Sequence, residues 1–313
     1  MSRKIESVAI IGAGALGLLY GQSIKKILGE KLYFLSDQDR YGKIKSTTYL
    51  INDKPEFFNA KIPEELEEYP DLIIIAVKNH HLKTILPILE KAIRKHTIII
   101  SVLNGIDSEE LLESYFPQAS IIYTVALGMD AVKEGDELTF TSRGKLLLGR
   151  KNNDSDDPVL KAVFDFLSAT EIKIEIPEDI IRSLWWKWMI NIGVNQVSSV
   201  TGAQYKVFQE NDETRELMDS AMLETVMVAK AAGVDLTEED ISEWYPILDS
   251  LGPEGKTSML QDMEAQRISE APYFGGKLIS LGEKYGVPVP VNETLYRIIR
   301  TKEALFTSEE PSS

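Results

Sequence analysis

Lys187, Asn191 and Asn195 recur at intervals of four in an otherwise apolar stretch, among Leu184, Trp185, Trp188, Met189, Ile190, Ile192 and Val194. Helical spacing puts their directions within about 80° of one another, so they form one polar stripe. An ammonium and two carboxamides on a half-buried face must be satisfied, and a polar ligand is one way to satisfy them. A plainer alternative stays open: Lys187 extends to water while the asparagines bond neighbouring backbone.

A second set of residues suits a different ligand. Gly12-Ala13-Gly14-Ala15-Leu16-Gly17 follows the apolar run Val8-Ala9-Ile10-Ile11 and opens an amphipathic helical pattern. In a strand, turn and helix of this kind, Gly12 makes the tight turn, Gly14 lets backbone approach a pyrophosphate, and Gly17 lets helix pack closely on strand. The phosphates rest on free N–H groups at the helix start, around Ala15 and Leu16. Asp37 follows Gly17 by about 20 residues, the interval at which a carboxylate meets the adenosine ribose. Together these residues predict a dinucleotide site.

Elements must carry both sets. Short aliphatic runs at 8–11, 32–35, 72–77, 97–103 and 120–125 alternate with helical patterns at 15–28, 41–45, 82–94 and 108–115, as in a parallel sheet covered on both faces. Residues 135–149 alternate between hairpin-like glycines and predict antiparallel strands that finish this sheet. Beyond Ile176-Pro177-Glu178-Asp179 the pattern is helical almost throughout. The expected class is therefore α/β, with a Rossmann-type dinucleotide-binding domain over 1–177 and an all-helical substrate and catalytic domain over 178–313. Residues 184–200 and 213–232 predict core helices, Gly233 a helix stop, Thr237 a helix cap, and 307–313 a frayed polar tail. Trp185, Trp186 and Trp188 suit a homodimer interface and core packing equally.

The formal net charge of -15 speaks against nucleic acid or an anionic membrane as partner, because both need clustered Lys and Arg. The absence of cysteine removes disulfides, thiol nucleophiles and thiolate metal sites, and fits the cytoplasm. Arg3 and Lys4 before an apolar stretch imitate a signal peptide, but Glu6 and the glycines interrupt it. No apolar run approaches the roughly 18 residues that span a bilayer. Side chains of the adjacent His80 and His81 are expected to point apart, so no metal site is predicted.

Lys187, Asn191 and Asn195, followed by Ser258-Met259-Leu260-Gln261-Asp262 and Glu270, resemble the signature of the ketopantoate reductases. The resemblance covers nearly the whole chain, through Gly12, Gly14 and Gly17, Lys78, Asn104-Gly105 and Thr201-Gly202. It implies hydride transfer between a nicotinamide dinucleotide and a 2-oxo acid, giving the D hydroxy acid, in a cleft between the two domains. It implies Lys187 as the general acid toward the carbonyl oxygen, and Glu270 as a group that bonds substrate or orients Lys187. Ser258 would hold the substrate carboxylate, Asn191 and Asn195 would complete the pocket, and Asn104 and Lys78 would come from the cofactor side. A lysine at its reference pKa of about 10.4 is protonated at neutral pH and can serve as that acid.

The chain departs from the family pattern at several positions. NADP-preferring members carry a basic residue where Asp37 stands; a carboxylate there accepts from ribose hydroxyls and repels a phosphate dianion. NAD(H) is therefore expected over NADP(H), with Arg40 and Lys43 near enough in sequence to oppose that preference. Tyr205 stands where an asparagine is expected ten residues after Asn195, Gly255 where one is expected three before Ser258, and His81 where glutamine is common. These exchanges suit a branched or aromatic 2-oxo acid, as in the NAD-dependent D-2-hydroxy acid dehydrogenases of mandelate type within this family. Two other readings remain: an NADPH-dependent 2-dehydropantoate 2-reductase of pantothenate biosynthesis, and a non-catalytic dinucleotide-sensing protein, which would need the glycine loop but not Lys187.

Overall fold

The computed structural model describes residues 4–308, with side chains to 306; Arg3 and the tail expected over 307–313, apart from the backbone of 307 and 308, lie outside the described residues. The chain divides into two compact units, Met1–Ser183 and Leu184–Ser313. In the first, the aliphatic runs become strands because β-branched side chains fit a pleated surface. β1 (Val8–Ile11) and β2 (Leu32–Leu35) are followed by three unpredicted strands, β3 (Tyr49–Ile51), β4 (Lys54–Glu56) and β5 (Ala60–Lys61). Then come β6 (Leu72–Ile75), β7 (Ile98–Ser101), β8 (Ser120–Met129), β9 (Val132–Glu134), β10 (Glu137–Thr139), β11 (Arg143–Gly149) and β12 (Lys173–Glu175). The helices are α1 (Ala15–Leu28), α2 (Gln38–Ser46), α3 (Leu86–Ala92), α4 (Ser108–Tyr115) and α5 (Pro158–Ser168).

Among the described residues, the main sheet has the order β12-β11-β8-β7-β6-β1-β2-β5, parallel except where β11 meets β8. Alternate residues of its central strands enter two cores. Val8, Ile10, Leu72, Ile74 and Ile98 pack with residues of α1 and α5, while Ala9, Ile11, Ile73, Ile75 and Ile99 pack with residues of α3 and α4. The chain runs outward from β1 through β2 to β5, then returns to the opposite side of β1 as β6, so strand order reverses between β1 and β6. Open α/β sheets bind ligands beyond the strand ends at such a reversal.

Two local expectations are corrected. Of the strands predicted over 135–149, only β11 finishes the main sheet; β9 and β10 join β3 and β4 in a separate sheet of order β4-β3-β10-β9. Asn52 and Asp53 turn the β3–β4 hairpin at φ 46° and 62°, a left-handed conformation these residue types tolerate. The Asn52 amide then bonds the backbone N–H and C=O of Phe140, both at 2.9 Å, which ties the two hairpins together. The helix predicted over 82–94 is shorter: a 3-10 turn at Lys83–Ile85, following another at Asn79–His81, precedes α3. Pro87 in the first turn of α3 lacks an N–H and clashes with a preceding helical turn, so it starts a helix rather than continuing one.

α6 (Ile180–Ile190) crosses the division and leads into a π-helical turn, Asn191–Asn195. There follow α7 (Gln196–Thr201), α8 (Tyr205–Glu210), α9 (Asp212–Ala231), α10 (Glu238–Ser242), α11 (Tyr245–Ser250), α12 (Ser258–Glu264), α13 (Gly275–Tyr285) and α14 (Pro290–Ser308). The single helix expected over 184–200 is thus widened in its middle. Gly193 lies at the widening, where a Cβ would stand 2.6 Å from Met222 Cγ and 3.1 Å from the Met218 carbonyl, so bare backbone packs against α9. Gly233 takes φ 82° just beyond α9, and Thr237 forms a capping box with Asp240 at the start of α10. Trp185 and Trp188 meet edge to face at 5.3 Å, and Trp186 donates to the Asp240 carbonyl, so all three serve packing in the second unit. Among the described residues no helix is long and apolar enough to cross a membrane.

Candidate active site

The parallel strands are level, with Val8 opposite both Leu32 and Leu72, and Leu72 opposite Ile98. Their C-terminal ends form one edge, beyond which stand Gly12, Asp37, Lys78 and Asn104. Each glycine of the loop answers a different demand. Gly12 takes φ 110°, and a Cβ there would stand 2.5 Å from the Ala76 carbonyl beyond β6. At Gly17 a Cβ would lie 1.8 Å from the Gly12 carbonyl oxygen. Gly14 is unlike both: its φ of -81° is ordinary, and a Cβ would meet only the Ala76 carbonyl, at 3.8 Å. Gly14 is the N-cap of α1 and is under neither backbone strain nor protein crowding, so there is room here for a ligand to approach the backbone. The first turn of α1 has no side-chain cap and no acidic residue, so the N–H groups around Ala15 and Leu16 suit an anion. The residues present fit a dinucleotide pyrophosphate.

Asp37 caps α2, its Oδ1 accepting from the Arg40 N–H at 2.9 Å, while Arg40 Nε lies 3.9 Å from Oδ2. Both side chains are about half exposed, at 49% and 53%. The carboxylate is thus half accessible to ribose hydroxyls, although its second oxygen already has the Arg40 guanidinium beside it. Lys78 stands three residues beyond β6, just before the 3-10 turn that bears His80 and His81. The His81 imidazole is held below its usual range, first by burial and then by the charges of His80, Arg40 and Lys78. The two imidazoles do not point apart as expected; on this 3-10 turn their centroids lie 4.2 Å apart, with the rings tilted by 57°. Among the described residues no group of three or more side chains could hold a metal ion.

Asn104 lies in the loop after β7. The buried Asn79 amide donates to its carbonyl at 2.7 Å, joining the loops that follow β6 and β7. Behind this loop, Ser101 Oγ donates to Ser108 Oγ at 2.8 Å, and Ser108 Oγ to the carboxylate of Glu109 at 2.7 Å. Burial pushes the Glu109 carboxyl up from 4.5 to about 7. The native state thus holds this proton where the unfolded chain has released it, so stability falls as pH rises from about 4.5 to about 7 and the deficit is complete above that. A shift of this size corresponds to about 3 kcal/mol. Relative to the parent protein, Glu109→Gln is expected to gain close to that amount between pH 4.5 and pH 8 in urea unfolding. A constant gap across that range would show that Glu109 does not titrate as described.

In the second unit, Asn195 Nδ2 donates to Asn191 Oδ1 at 3.0 Å. The buried Asn191 Nδ2 and Asn195 Oδ1 then find no partner among the described residues. Turning both amides over exchanges the atoms but still leaves one donor and one acceptor. Lys187 is half-buried on α6, one turn earlier. The start of α12 is tied to α7 by Thr257 Oγ1, 3.2 Å from Ser198 Oγ, and Thr257 is also the helix cap. Ser258 is therefore not the capping hydroxyl, and its exposed side chain has no hydrogen-bond partner among the described residues. Glu270 is half-buried at a turn joined to α6 by Trp188 Nε1, which donates to the Tyr273 carbonyl at 2.9 Å. The elements bearing Lys187, Asn191, Asn195, Ser258 and Glu270 are thus bonded to one another.

Sequence reasoning missed the clamps behind these elements. Glu224 accepts from the N–H groups of Val291 and Asn292 at 2.8 and 2.9 Å, and Asn292 Oδ1 accepts from Gln196 directly after the π-helical turn, at 2.8 Å. No spacing pairs Gln196 with Asn292. Tyr205 and Gly255 are also coupled: the Tyr205 N–H donates to the Gly255 carbonyl at 3.0 Å, and a Cβ at 255 would stand 2.8 Å from the Tyr205 ring. The Gly252 carbonyl, 2.9 Å from the same Cβ position, also confines residue 255.

Residues 8–153 match the profile described as ketopantoate reductase PanE/ApbA, and residues 179–303 its C-terminal counterpart. The chain belongs to the ketopantoate reductase family. The family comprises oxidoreductases acting on CH–OH donors and using a nicotinamide dinucleotide. A 2-dehydropantoate 2-reductase of Streptococcus pyogenes serotype M3 is 24% identical over 303 residues, covering 96% of this chain and 98% of that one. Its counterpart in Pyrococcus abyssi is 26% identical, over 95% and 98%. Two structures share the fold of this ketopantoate reductase family member. One is a ternary complex of D-mandelate dehydrogenase with NADH and anilino(oxo)acetate, at TM-score 0.86 and 23% identity, over 96% of this chain and 99% of that one. The other is a dimeric ketopantoate reductase from Staphylococcus aureus, at TM-score 0.82 and 23% identity, with the same coverage.

Proposed function

We propose that this protein transfers a hydride between NAD(H) and a branched or aromatic 2-oxo acid or its D-2-hydroxy acid. The observation that carries the substrate class is the Tyr205–Gly255 contact, in which an aromatic ring and a bare backbone stand where the family pattern has two carboxamides. Bound nicotinamide supplies the hydride for carbon 2. The Lys187 ammonium gives its proton to the carbonyl oxygen as that oxygen gains charge, and takes it back in the reverse direction. The Asn191–Asn195 pair offers one donor and one acceptor, which a 2-hydroxyl can satisfy at once. Ser258 holds the carboxylate, Glu270 bonds substrate or orients Lys187, and Asn104 and Lys78 contribute from the first unit.

Asp37 supports NAD(H) over NADP(H), because a half-exposed carboxylate can accept from ribose hydroxyls and repels a 2′-phosphate. A specific observation favours the other assignment: Arg40 lies beside Asp37, and the curated relatives named above are 2-dehydropantoate 2-reductases. Steady-state reduction of ketopantoate and of benzoylformate, each with NADH and NADPH, separates the two. The proposal expects the highest kcat/KM for benzoylformate with NADH; ketopantoate with NADPH in first place would overturn it. Asp37→Ser keeps a capping oxygen on α2 and removes the charge, and is expected to move the NADPH to NADH ratio of kcat/KM up by at least about 10-fold.

A further inference from the structure

Glu303 lies on α14, only 2% exposed, although it carries a carboxylate. Its Oε1 accepts from the Ser269 N–H at 2.8 Å and the Ser269 hydroxyl at 2.6 Å, and its Oε2 pairs with Arg300. Ser269, itself 1% exposed, accepts in turn from the Ala271 N–H at 3.2 Å. Glu270 therefore sits between Ser269, whose N–H is held from α14, and Ala271, whose N–H is held by the Ser269 hydroxyl, while the Tyr273 N–H donates to the Glu270 carbonyl at 2.9 Å. A buried carboxylate is costly unless fully bonded, and here two of its bonds converge on one residue of a short turn. The same helix grips the other side of the substrate-binding elements, through Asn292 to Gln196 and through Lys302 Nζ to the Ser199 carbonyl at 2.6 Å.

The geometry points to Glu303 as a positioning residue: through Ser269 it fixes the turn that aims the Glu270 carboxylate. This rests on the proposed role of Glu270 toward substrate or Lys187. Misplacement of a reacting group by about 1 Å costs about 100-fold, so Glu303→Ala is expected to lower kcat/KM by about 10- to 100-fold. Dinucleotide affinity should stay as it is, since that site is built from the first unit.

The test is a double-mutant cycle with Glu270→Ala, measuring kcat and KM for ketopantoate and benzoylformate, with urea unfolding alongside. A residue that acts only through Glu270 has no further effect on kcat/KM once Glu270 is alanine, whereas general loosening of the fold adds the same loss in both backgrounds. Glu303→Gln, which keeps an acceptor oxygen for Ser269, is expected to retain most of the activity. If Glu303→Ala does not fold, Ser269→Ala carries the same cycle with the smaller change. Equal losses in both backgrounds, or an undiminished kcat/KM in folded Glu303→Ala, overturn the inference. Full activity in Glu270→Ala, or no turnover of either acid by the parent protein, removes the functional reading beneath it instead.

Discussion

Replacing Lys187 by alanine is expected to lower kcat by about 100- to 10,000-fold, the usual contribution of a positioned general acid. Hydride arriving at carbon 2 leaves negative charge on the carbonyl oxygen, and an alkoxide formed without a proton donor in a water-poor site is too unstable to accumulate. A lysine ammonium is acidic enough to quench it and basic enough to recover the proton in the reverse reaction. Arginine is a far weaker acid with a planar head, so Lys187→Arg is expected to recover little. Affinity for NADH, measured by fluorescence titration, should be unchanged in both variants. If the loss fell on KM with kcat intact, Lys187 would be a binding residue, and the acid would have to be sought elsewhere.

The glycine loop gives the second large effect, and a contrast between two substitutions that look alike. Gly17→Ala would place a methyl group 1.8 Å from the Gly12 carbonyl oxygen, while Gly12 is itself confined by Ala76. Backbone must therefore move, and the phosphate cradle with it; dinucleotide affinity is expected to fall by about 100-fold or more, about 2.7 kcal/mol, with a clear drop in Tm. At Gly14 the protein has room for a methyl group and no positive φ. Gly14→Ala should leave Tm within a degree or two while weakening NADH binding by about 10-fold or more, because the methyl occupies space meant for the pyrophosphate. Equal affinity in parent and Gly14→Ala would remove the pyrophosphate from that position.

The parallel strands β1, β2, β6, β7 and β8 were legible because each is a contiguous run of branched aliphatics, which fits few environments other than a doubly covered sheet. Gly12, Gly14 and Gly17 were legible for the same reason: their work is local, between a strand and the helix that follows it. The pairing of Asn191 with Asn195 was legible too, since four-residue spacing keeps neighbours on one face of a helix. The second sheet was not legible. Its strands are three residues long and half-exposed, and the pairing that joins its two hairpins, Glu137 with Leu50, spans more than 80 positions.

Sequence by itself therefore determined the α/β class, the helical second half, the dinucleotide loop and the list of polar residues that the family resemblance assigns to substrate. Tertiary structure alone decided how those residues are held: that Gly193 packs on Met222 and the helix widens over Asn191–Asn195, that Asp37 uses one oxygen to cap α2, that Thr257 rather than Ser258 caps α12, that Tyr205 packs against the bare backbone of Gly255, and that Glu303 holds Ser269. The division has a physical cause. Local periodicity and turn chemistry are written in neighbouring residues, whereas a buried carboxylate meeting a hydroxyl 34 positions away depends on the path of the whole backbone between them.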